Sequence, residues 1–308
     1  MSNKLAIVIP AYKPDYLFST LQSIYSQSCK DFNLYIGDDC SPYDLKQITD
    51  KFDDGLVQQV YKRFETNLGG KDLVAQWERC IALTQGEDWI WLFSDDDVMG
   101  EKCVENFYKE LDRTKCAYDL YHFNVKVIDG NGHVLGDSVY QDVMHVESFY
   151  KLKAMAKIES FVVENVFSRK IYDQVGGFSK FPLAWGSDTF TWMLMMKDKG
   201  MKTVPDDYVY WRSSGVNITP NRNREISIVK AMSDIELMRR TGILLGKSIR
   251  GFNVRYFFRM LVHYCDDIGY DGFKILIKKA FEQKTINRYV SFFSYASYPI
   301  CKLIKHIR

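Results

Sequence analysis

The chain has 308 residues, of which 46% are hydrophobic, enough for one α/β domain with an appendage, and this excludes a wholly disordered protein. Its 41 basic and 39 acidic residues leave a net charge of +2, which argues against a nucleic-acid-binding protein. The seven cysteines include no C-x-x-C pair, a pattern that favours free thiols in a reducing compartment. The apolar run at residues 5–9 is shorter than a signal-peptide core, so we expect a cytoplasmic protein.

Strands and helices alternate along the first part of the chain. Residues 5–9 form a short β-branched run closed by a proline, which predicts a strand buried on both faces. Similar apolar runs predict strands at 32–36, 56–61 and 89–93, and the amphipathic segment 73–83 predicts a helix between two of them. This alternation predicts a doubly wound α/β sheet, whose ligand site lies beyond the carboxyl ends of the strands.

Acidic side chains follow two of these predicted strands. Asp38 and Asp39 end the second strand, and Asp95, Asp96 and Asp97 follow the fourth. Three consecutive carboxylates repel one another, and a divalent cation such as Mg²⁺ or Mn²⁺ would relieve that repulsion. Alternatively, the three carboxylates cap the next helix and face solvent. The residues alone leave both interpretations open.

A hairpin is predicted next. Longer strands are expected at 118–128 and 134–140, and the sequence between them is Asp129-Gly130-Asn131-Gly132. Asp129 and Asn131 would also suit a calcium loop, but the remaining ligand positions of such a loop are missing. We therefore favour a turn.

The order of these motifs is typical of one enzyme family. Over roughly residues 4–215 the chain resembles the family 2 glycosyltransferases of the GT-A fold. The matching segments are Pro10-Ala11-Tyr12, Asp38-Asp39-Cys40-Ser41, Asn67-Leu68-Gly69-Gly70, Ser94-Asp95-Asp96-Asp97, Gly176-Gly177-Phe178 with Ser187-Asp188, and Trp211-Arg212. The resemblance implies an α/β, GT-A type sheet that binds a nucleotide sugar.

The resemblance also implies an activity. It is an inverting, metal-dependent transfer of a hexosyl or N-acetylhexosaminyl group from a nucleotide diphosphate sugar, a UDP-sugar, to a saccharide hydroxyl in cell-surface polysaccharide assembly. A sugar nucleotidyltransferase is the alternative enzyme, but it usually has a glycine-rich basic loop after its first strand, which residues 10–14 do not resemble. A non-catalytic nucleotide-binding scaffold is a second alternative, which only an assay excludes.

The family motifs imply roles on the donor side. Pro10, Ala11 and Tyr12 would lie along the nucleotide base, Asp39 would accept a hydrogen bond from a uracil imide, and Asp38 would support the ribose. Gly69 and Gly70 allow close approach of a ligand to the backbone. Lys71 would then reach a phosphate, although an exposed lysine after a helix-entry turn is the simpler interpretation.

The acidic motif implies the metal ligands. Aligned with the family pattern, Asp96 and Asp97 would hold Mn²⁺ or Mg²⁺, and Asp95 would lie near the ribose or a metal-bound water. Ser94 stands where the family has its first aspartate, so Asp95 is the alternative ligand.

The second half of the motif set implies the acceptor side. Asp188 matches the catalytic aspartate, which removes a proton from the acceptor hydroxyl, although it also suits the first turn of a helix. Trp185 would stack on a sugar ring or belong to the core. Arg212 would approach the phosphates or form a surface ion pair.

The end of the chain is helical, basic and aromatic. We expect a catalytic domain at 1–220 and a helical region at 221–308, in which residues 247–308 carry twelve basic and four acidic side chains. The segment Tyr289 to Cys301 has no charge, is rich in Phe and Tyr, and is too short to span a bilayer.

Basic residues follow this aromatic segment, at Lys302, Lys305 and Arg308. The combination predicts a helix that lies on an anionic membrane surface, peripheral on the inner face of the cell membrane. Such a location would suit a lipid-linked saccharide acceptor. The alternative is a helix pair that packs on the catalytic domain or on another subunit.

Overall fold

The computed structural model describes residues 4–52, 55–213, 215 and 223–307. It divides into two compact units. Unit 1 takes residues 1–146, 159–179 and 191–215, and unit 2 takes 147–158, 180–190 and 216–308. Two insertions, 147–158 and 180–190, are thus grouped with the C-terminal helices.

Unit 1 is built on one mixed sheet with the strand order β3-β2-β1-β4-β9-β6-β10-β5, in which β7 pairs with β6 and β8 with β10. The strands are β1 Leu5–Ala11, β2 Phe32–Asp38, β3 Gln58–Arg63, β4 Trp89–Leu92, β5 Val98–Met99, β6 Leu120–Ile128, β7 Val134–Ser138, β8 Val143–Met144, β9 Asn165–Ser168 and β10 Met201–Arg212.

Helices connect the strands and form the C-terminal region. They are α1 Leu17–Tyr25, α2 Leu45–Thr49, α3 Leu73–Ile81, α4 Cys103–Thr114, α5 Val146–Ala154, α6 Arg169–Val175, α7 Ser187–Met195, α8 Arg224–Leu245, α9 Arg250–Glu282, α10 Arg288–Ala296 and α11 Tyr298–Ile307. The α/β fold with a helical C-terminal region is therefore confirmed.

The first four strands form the predicted parallel part of the sheet. Strand β1 pairs in parallel with β2 and β4, and β2 pairs in parallel with β3. Every residue of β1 except Pro10 is buried, because the sheet is covered on both faces. Since parallel strands end at one edge, the segments after Ala11, Asp38 and Leu92 meet there.

The second half of the sheet departs from a purely parallel arrangement. Strand β9 pairs antiparallel with both β4 and β6. The predicted hairpin is present, since β6 and β7 pair antiparallel. The Asp129 carboxylate accepts from the main-chain N–H groups of Asn131 and His133, so it stabilises the turn.

Unit 2 consists mainly of helices. Helix α8 packs on α9, and α10 and α11 also pack on α9. Helix α9 is kinked at Gly269, where φ is 65°. Among the described helices, none combines the length and the apolar character that crossing a bilayer requires.

Candidate active site

The segment after β1 is held by Asp95. Its Oδ2 accepts from the main-chain N–H groups of Tyr12 at 2.7 Å and Lys13 at 2.9 Å. Burial and the neighbouring carboxylate of Asp96 raise the pKa of Asp95 to about 6. The fixed turn leaves the Tyr12 side chain exposed, whereas Ala11 is buried. Pro10 is partly buried at the same strand end.

Arg212 and Asp97 join the acidic segment to the end of β10. The main-chain N–H of Arg212 donates to Asp97 Oδ1 at 2.7 Å, and its Nε donates to the Asp96 carbonyl at 2.8 Å. Asp97 is 1% exposed and Arg212 is 5% exposed. Burial and the charge of Asp96 raise the pKa of Asp97. Arg212 is therefore a buried residue of this edge.

The guanidinium of Arg212 also reaches the hairpin turn. Its Nη1 donates to the carbonyl groups of Asp129 and Gly130, each at 3.2 Å. The guanidinium carbon lies 4.4 Å from the centre of the Tyr16 ring, within the range of a cation–π contact. One side chain thus ties the acidic segment, β10 and the hairpin turn together.

Asp96, the middle aspartate of the acidic segment, is also buried. The Ser94 hydroxyl donates to Asp96 Oδ1 at 2.5 Å. Ser94 therefore orients the carboxylate of Asp96. Within the described ranges, no three His, Cys, Asp or Glu side chains are grouped to hold a metal ion. Mg²⁺ usually takes only one or two protein carboxylates and completes its shell with water and substrate phosphates, a donor set that Asp96 fits.

Asp39 organises the turn that follows β3. Its Oδ1 accepts from the Leu68 N–H at 2.7 Å and from the Arg79 guanidinium, and its Oδ2 accepts from the Gly69 N–H at 2.8 Å and the Asn67 amide at 3.1 Å. These donors match the roughly four acceptor positions of a carboxylate. A base imide would have to share an oxygen with one of them.

The two glycines of this turn are needed for its internal packing. A Cβ added at Gly69 would lie 2.7 Å from Asp39 Oδ2, and one at Gly70 would lie 2.6 Å from Asn67 Oδ1. The backbone at the two glycines thus approaches polar side-chain atoms of the protein itself. Lys71, which follows, is exposed.

Asp38 points to the other side of the β2 end and is fully buried. Its Oδ1 accepts from the Ser41 N–H at 2.7 Å, and its Oδ2 accepts from the Tyr61 hydroxyl at 2.5 Å and from Arg63 at 3.0 Å. The carboxylate therefore joins β2 to β3. Both of its oxygens are occupied by protein donors, so Asp38 would act on a ribose indirectly, by positioning the backbone.

Two neighbouring residues of α3 were missed by the sequence analysis. Arg79 donates to Asp39 and also to the Thr66 carbonyl at 3.0 Å. Glu78 accepts from the Phe178 N–H at 2.6 Å, and a Cβ at Gly177 would lie 2.7 Å from Glu78 Oε1. The second glycine of the Gly-Gly-Phe motif, Gly177, thus makes room for Glu78. The signal in the sequence was a charged pair inside a helix that follows a glycine turn.

Asp188 and Trp185 belong to unit 2. Asp188 lies in the first turn of α7, and burial raises its pKa, which Lys153 and Thr189 partly oppose. A carboxylate with a raised pKa is a stronger base once ionised. These properties fit both the helix-start and the catalytic interpretation.

The indole of Trp185 is fixed inside unit 2. Its Nε1 donates to Asp234 Oδ1 at 3.1 Å, and the same oxygen accepts from the Tyr256 hydroxyl at 3.0 Å. The Lys230 ammonium lies 4.6 Å from the centre of the Trp185 ring. Burial raises the pKa of Asp234 to about 6. Trp185 remains partly exposed, so it is an ordered ring and not a fully buried core residue.

Known structures with the same fold include two proteins with bound nucleotides. S. aureus TarS 1–349 in complex with UDP-GlcNAc is 14% identical with a TM-score of 0.61, over 96% of this chain and 92% of that one. Its complex with UDP gives 15% identity and a TM-score of 0.60, with 96% and 91% covered. The mannosyltransferase PcManGT from Pyrobaculum calidifontis, in complex with GDP-Man and Mn²⁺, gives 13% and 0.52, with 99% and 87% covered. At these identities the likeness shows the fold, which is GT-A.

The sequence comparison adds the family. No curated protein sequence matches the chain. The family model described as glycosyl transferase family 2 matches residues 6–172, which is more than half of the chain and includes β2, β4 and the acidic residues at their ends. The resemblance inferred from the motifs is therefore confirmed, and the chain belongs to glycosyltransferase family 2.

Proposed function

We propose that the protein transfers a sugar, with inversion, from a UDP-sugar to the hydroxyl of a saccharide. The observation that carries this proposal is the edge formed by β1, β2 and β4, where protein N–H groups hold Asp39, Asp95 and Asp97 in place beside the exposed Tyr12. Bound UDP-GlcNAc and UDP in TarS support a uridine donor. The transferred group is a hexosyl or N-acetylhexosaminyl residue.

Asp96 is the proposed ligand of Mn²⁺ or Mg²⁺. The Ser94 hydroxyl orients its carboxylate. Asp97 instead accepts a hydrogen bond from the Arg212 N–H and so joins the acidic segment to β10. We therefore assign Asp97 to the support of Asp96 and not to the metal itself. The bound ion would stabilise negative charge on the departing diphosphate, and Mn²⁺ with GDP-Man in PcManGT supports a metal in this fold.

Other residues are assigned to the two substrates. In this proposal the exposed Tyr12 binds the base and the exposed Lys71 binds a phosphate. Trp185, whose indole N–H donates to Asp234, offers a fixed ring for a sugar to stack on. Gly69 and Gly70 allow the turn at residues 67–70 to pack closely against the side chains of Asp39 and Asn67. Pro10, Ala11, Asp38 and Arg212 act through the backbone that they hold.

Asp188 is the proposed general base. Its carboxylate takes the proton of the acceptor hydroxyl while that oxygen bonds to the anomeric carbon and the nucleoside diphosphate leaves with the electrons of the broken bond. The raised pKa of Asp188 suits this role. The acceptor that we propose is a saccharide, or a lipid-linked saccharide of cell-surface polysaccharide assembly, reached at the inner face of the cell membrane.

The test is a donor screen that measures released nucleotide. UDP-glucose, UDP-galactose, UDP-GlcNAc and GDP-mannose are each supplied with Mn²⁺, with Mg²⁺ and with EDTA, and metal-dependent release of UDP is expected. Release of GDP alone would overturn the uridine assignment, and equal release in EDTA would overturn the metal. Pyrophosphate release from a nucleoside triphosphate and a sugar 1-phosphate would identify a nucleotidyltransferase instead.

A further inference from the structure

Helix α10 presents its large aromatic side chains outward. Tyr289, Phe292 and Phe293 are 76%, 73% and 66% exposed, whereas the buried positions of the helix are Ser291 and Ser294. A helix that packs on a core normally shows the reverse pattern. The helix rests on α9 through small residues, and the buried Ser294 hydroxyl is satisfied by the Val290 carbonyl at 2.6 Å. The rings are therefore left for something outside unit 2.

Helix α11 also exposes apolar side chains. Ile300, Leu303 and Ile304 are exposed and share one face because they are three and four residues apart, while Cys301 is buried. Of the nineteen large hydrophobic side chains exposed in the described part of the chain, ten lie at or after residue 270. Large apolar side chains that are exposed together on one helix face are typical of an interaction surface.

Ion pairs hold α11 on α9. Lys305 Nζ lies 3.4 Å from Asp266 and 3.9 Å from Asp267, and Lys302 Nζ lies 3.8 Å from Asp266. The apolar face of α11 is thus turned outward by contacts on its other side. The two helices form a fixed platform and not a loose tail.

The charge around the rings has one sign. Residues 283–308 contain no Asp or Glu, and the exposed residues Lys284 and Arg288 come just before the α10 rings in the sequence. An isologous contact with a second copy would bring these like charges together, which costs binding free energy. Anionic lipid headgroups would attract them instead.

We propose that the outer face of α10 and α11, called here the docking face (Tyr289, Phe292, Phe293, Ile300, Leu303 and Ile304), lies on an anionic lipid leaflet. Phe and Tyr rings enter the boundary between headgroups and acyl chains, and Lys284 and Arg288 contact the headgroups. This inference rests on the proposed function, which puts the acceptor at the membrane. It adds the surface of the protein that binds the lipid.

The test is sedimentation of the full chain with vesicles in the absence of donor. Binding is expected to vesicles with about 30% phosphatidylglycerol and to be much weaker with phosphatidylcholine alone. Phe292→Ser with Phe293→Ser should lower the partition coefficient roughly tenfold or more per ring. Lys284→Gln with Arg288→Gln should lower it about fivefold per residue.

Controls separate the possible failures. The pair Leu135→Ser and Val139→Ser removes exposed apolar side chains of unit 1 and should bind vesicles like the unaltered protein. The proposal is overturned if the Phe292/Phe293 variant binds vesicles as well as the unaltered protein does. It is also overturned if the unaltered protein is a dimer that does not bind vesicles and the variant is a monomer. Donor turnover measured without vesicles tests the proposed enzyme separately, so loss of one result does not imply loss of the other.

Discussion

The main-chain N–H of Arg212 donates to Oδ1 of Asp97 across 115 positions of sequence, and both residues are buried. The third aspartate of the acidic motif is therefore an acceptor for the end of β10. The neighbouring Asp96 receives the Ser94 hydroxyl instead. Two adjacent carboxylates thus have different partners, which separates a structural role from the proposed metal role.

This separation predicts different effects of two matched substitutions. Asp97→Ala leaves the buried Arg212 N–H without its acceptor and should lower the free energy of unfolding by about 1–3 kcal/mol. Asp96→Ala should change stability less but abolish the response of donor turnover to Mn²⁺. Thermal unfolding and UDP release are the two measurements. An Asp96→Ala enzyme that still responds fully to Mn²⁺ would remove Asp96 from the metal site.

Gly69→Ala should damage the turn that Asp39 organises. The added Cβ would lie 2.7 Å from Asp39 Oδ2, and that carboxylate cannot move away without losing several hydrogen bonds. We expect a loss of about 1–3 kcal/mol in unfolding free energy and a raised KM for the donor. Gly136→Ala is the control, because a Cβ there meets nothing within 4 Å. Equal stability of the two variants would contradict the tight packing of the turn.

Asp188→Asn should slow transfer by roughly 10²–10⁴-fold, since a general base contributes that much. Affinity for UDP, measured by calorimetry, should be unchanged. Asp198→Asn serves as the control, because that carboxylate is exposed just after α7. If Asp188→Asn transfers sugar at the normal rate, Asp188 is only a helix-start residue.

The buried carboxyl group of Asp234 should make the free energy of unfolding depend on pH. Burial raises its pKa from 3.8 to about 6 in the folded protein, so the folded state holds this proton more tightly than the unfolded chain does. Its contribution to stability is fully present below pH 3.8 and is lost as the pH rises through about 6, a change on the order of 2–3 kcal/mol.

Asp234→Asn keeps an oxygen acceptor for Trp185 and Tyr256 but cannot ionise. In urea unfolding, the variant should therefore gain stability relative to the unaltered protein between pH 4 and pH 7, by an amount on the order of the loss just given. Asp173→Asn, at an exposed position of α6, should show no such trend. A constant difference between the Asp234 variant and the unaltered protein at all pH values would refute the raised pKa.

Much of the fold was predictable because its signals are local. An apolar run that ends in Pro10, acidic residues directly after strands, and Gly-Gly before a helix are patterns within a few residues, and their order identified the family. The strands near 32–38 and 89–92 and the hairpin turn at 129–132 were also found in this way. The antiparallel insertion of β9 between β4 and β6 was not, since strand order has no local signal.

The sequence by itself thus determined the elements and the family, because hydrophobic period and turn chemistry act over short distances. Only the tertiary structure decided the partner of each carboxylate: β3 for Asp38, the segment after β1 for Asp95, and β10 for Asp97. Likewise, the composition of α10 showed aromatic residues, but contact with α9 decided that its serines face inward. Both outcomes depend on residues far apart in the chain, which only folding brings into contact.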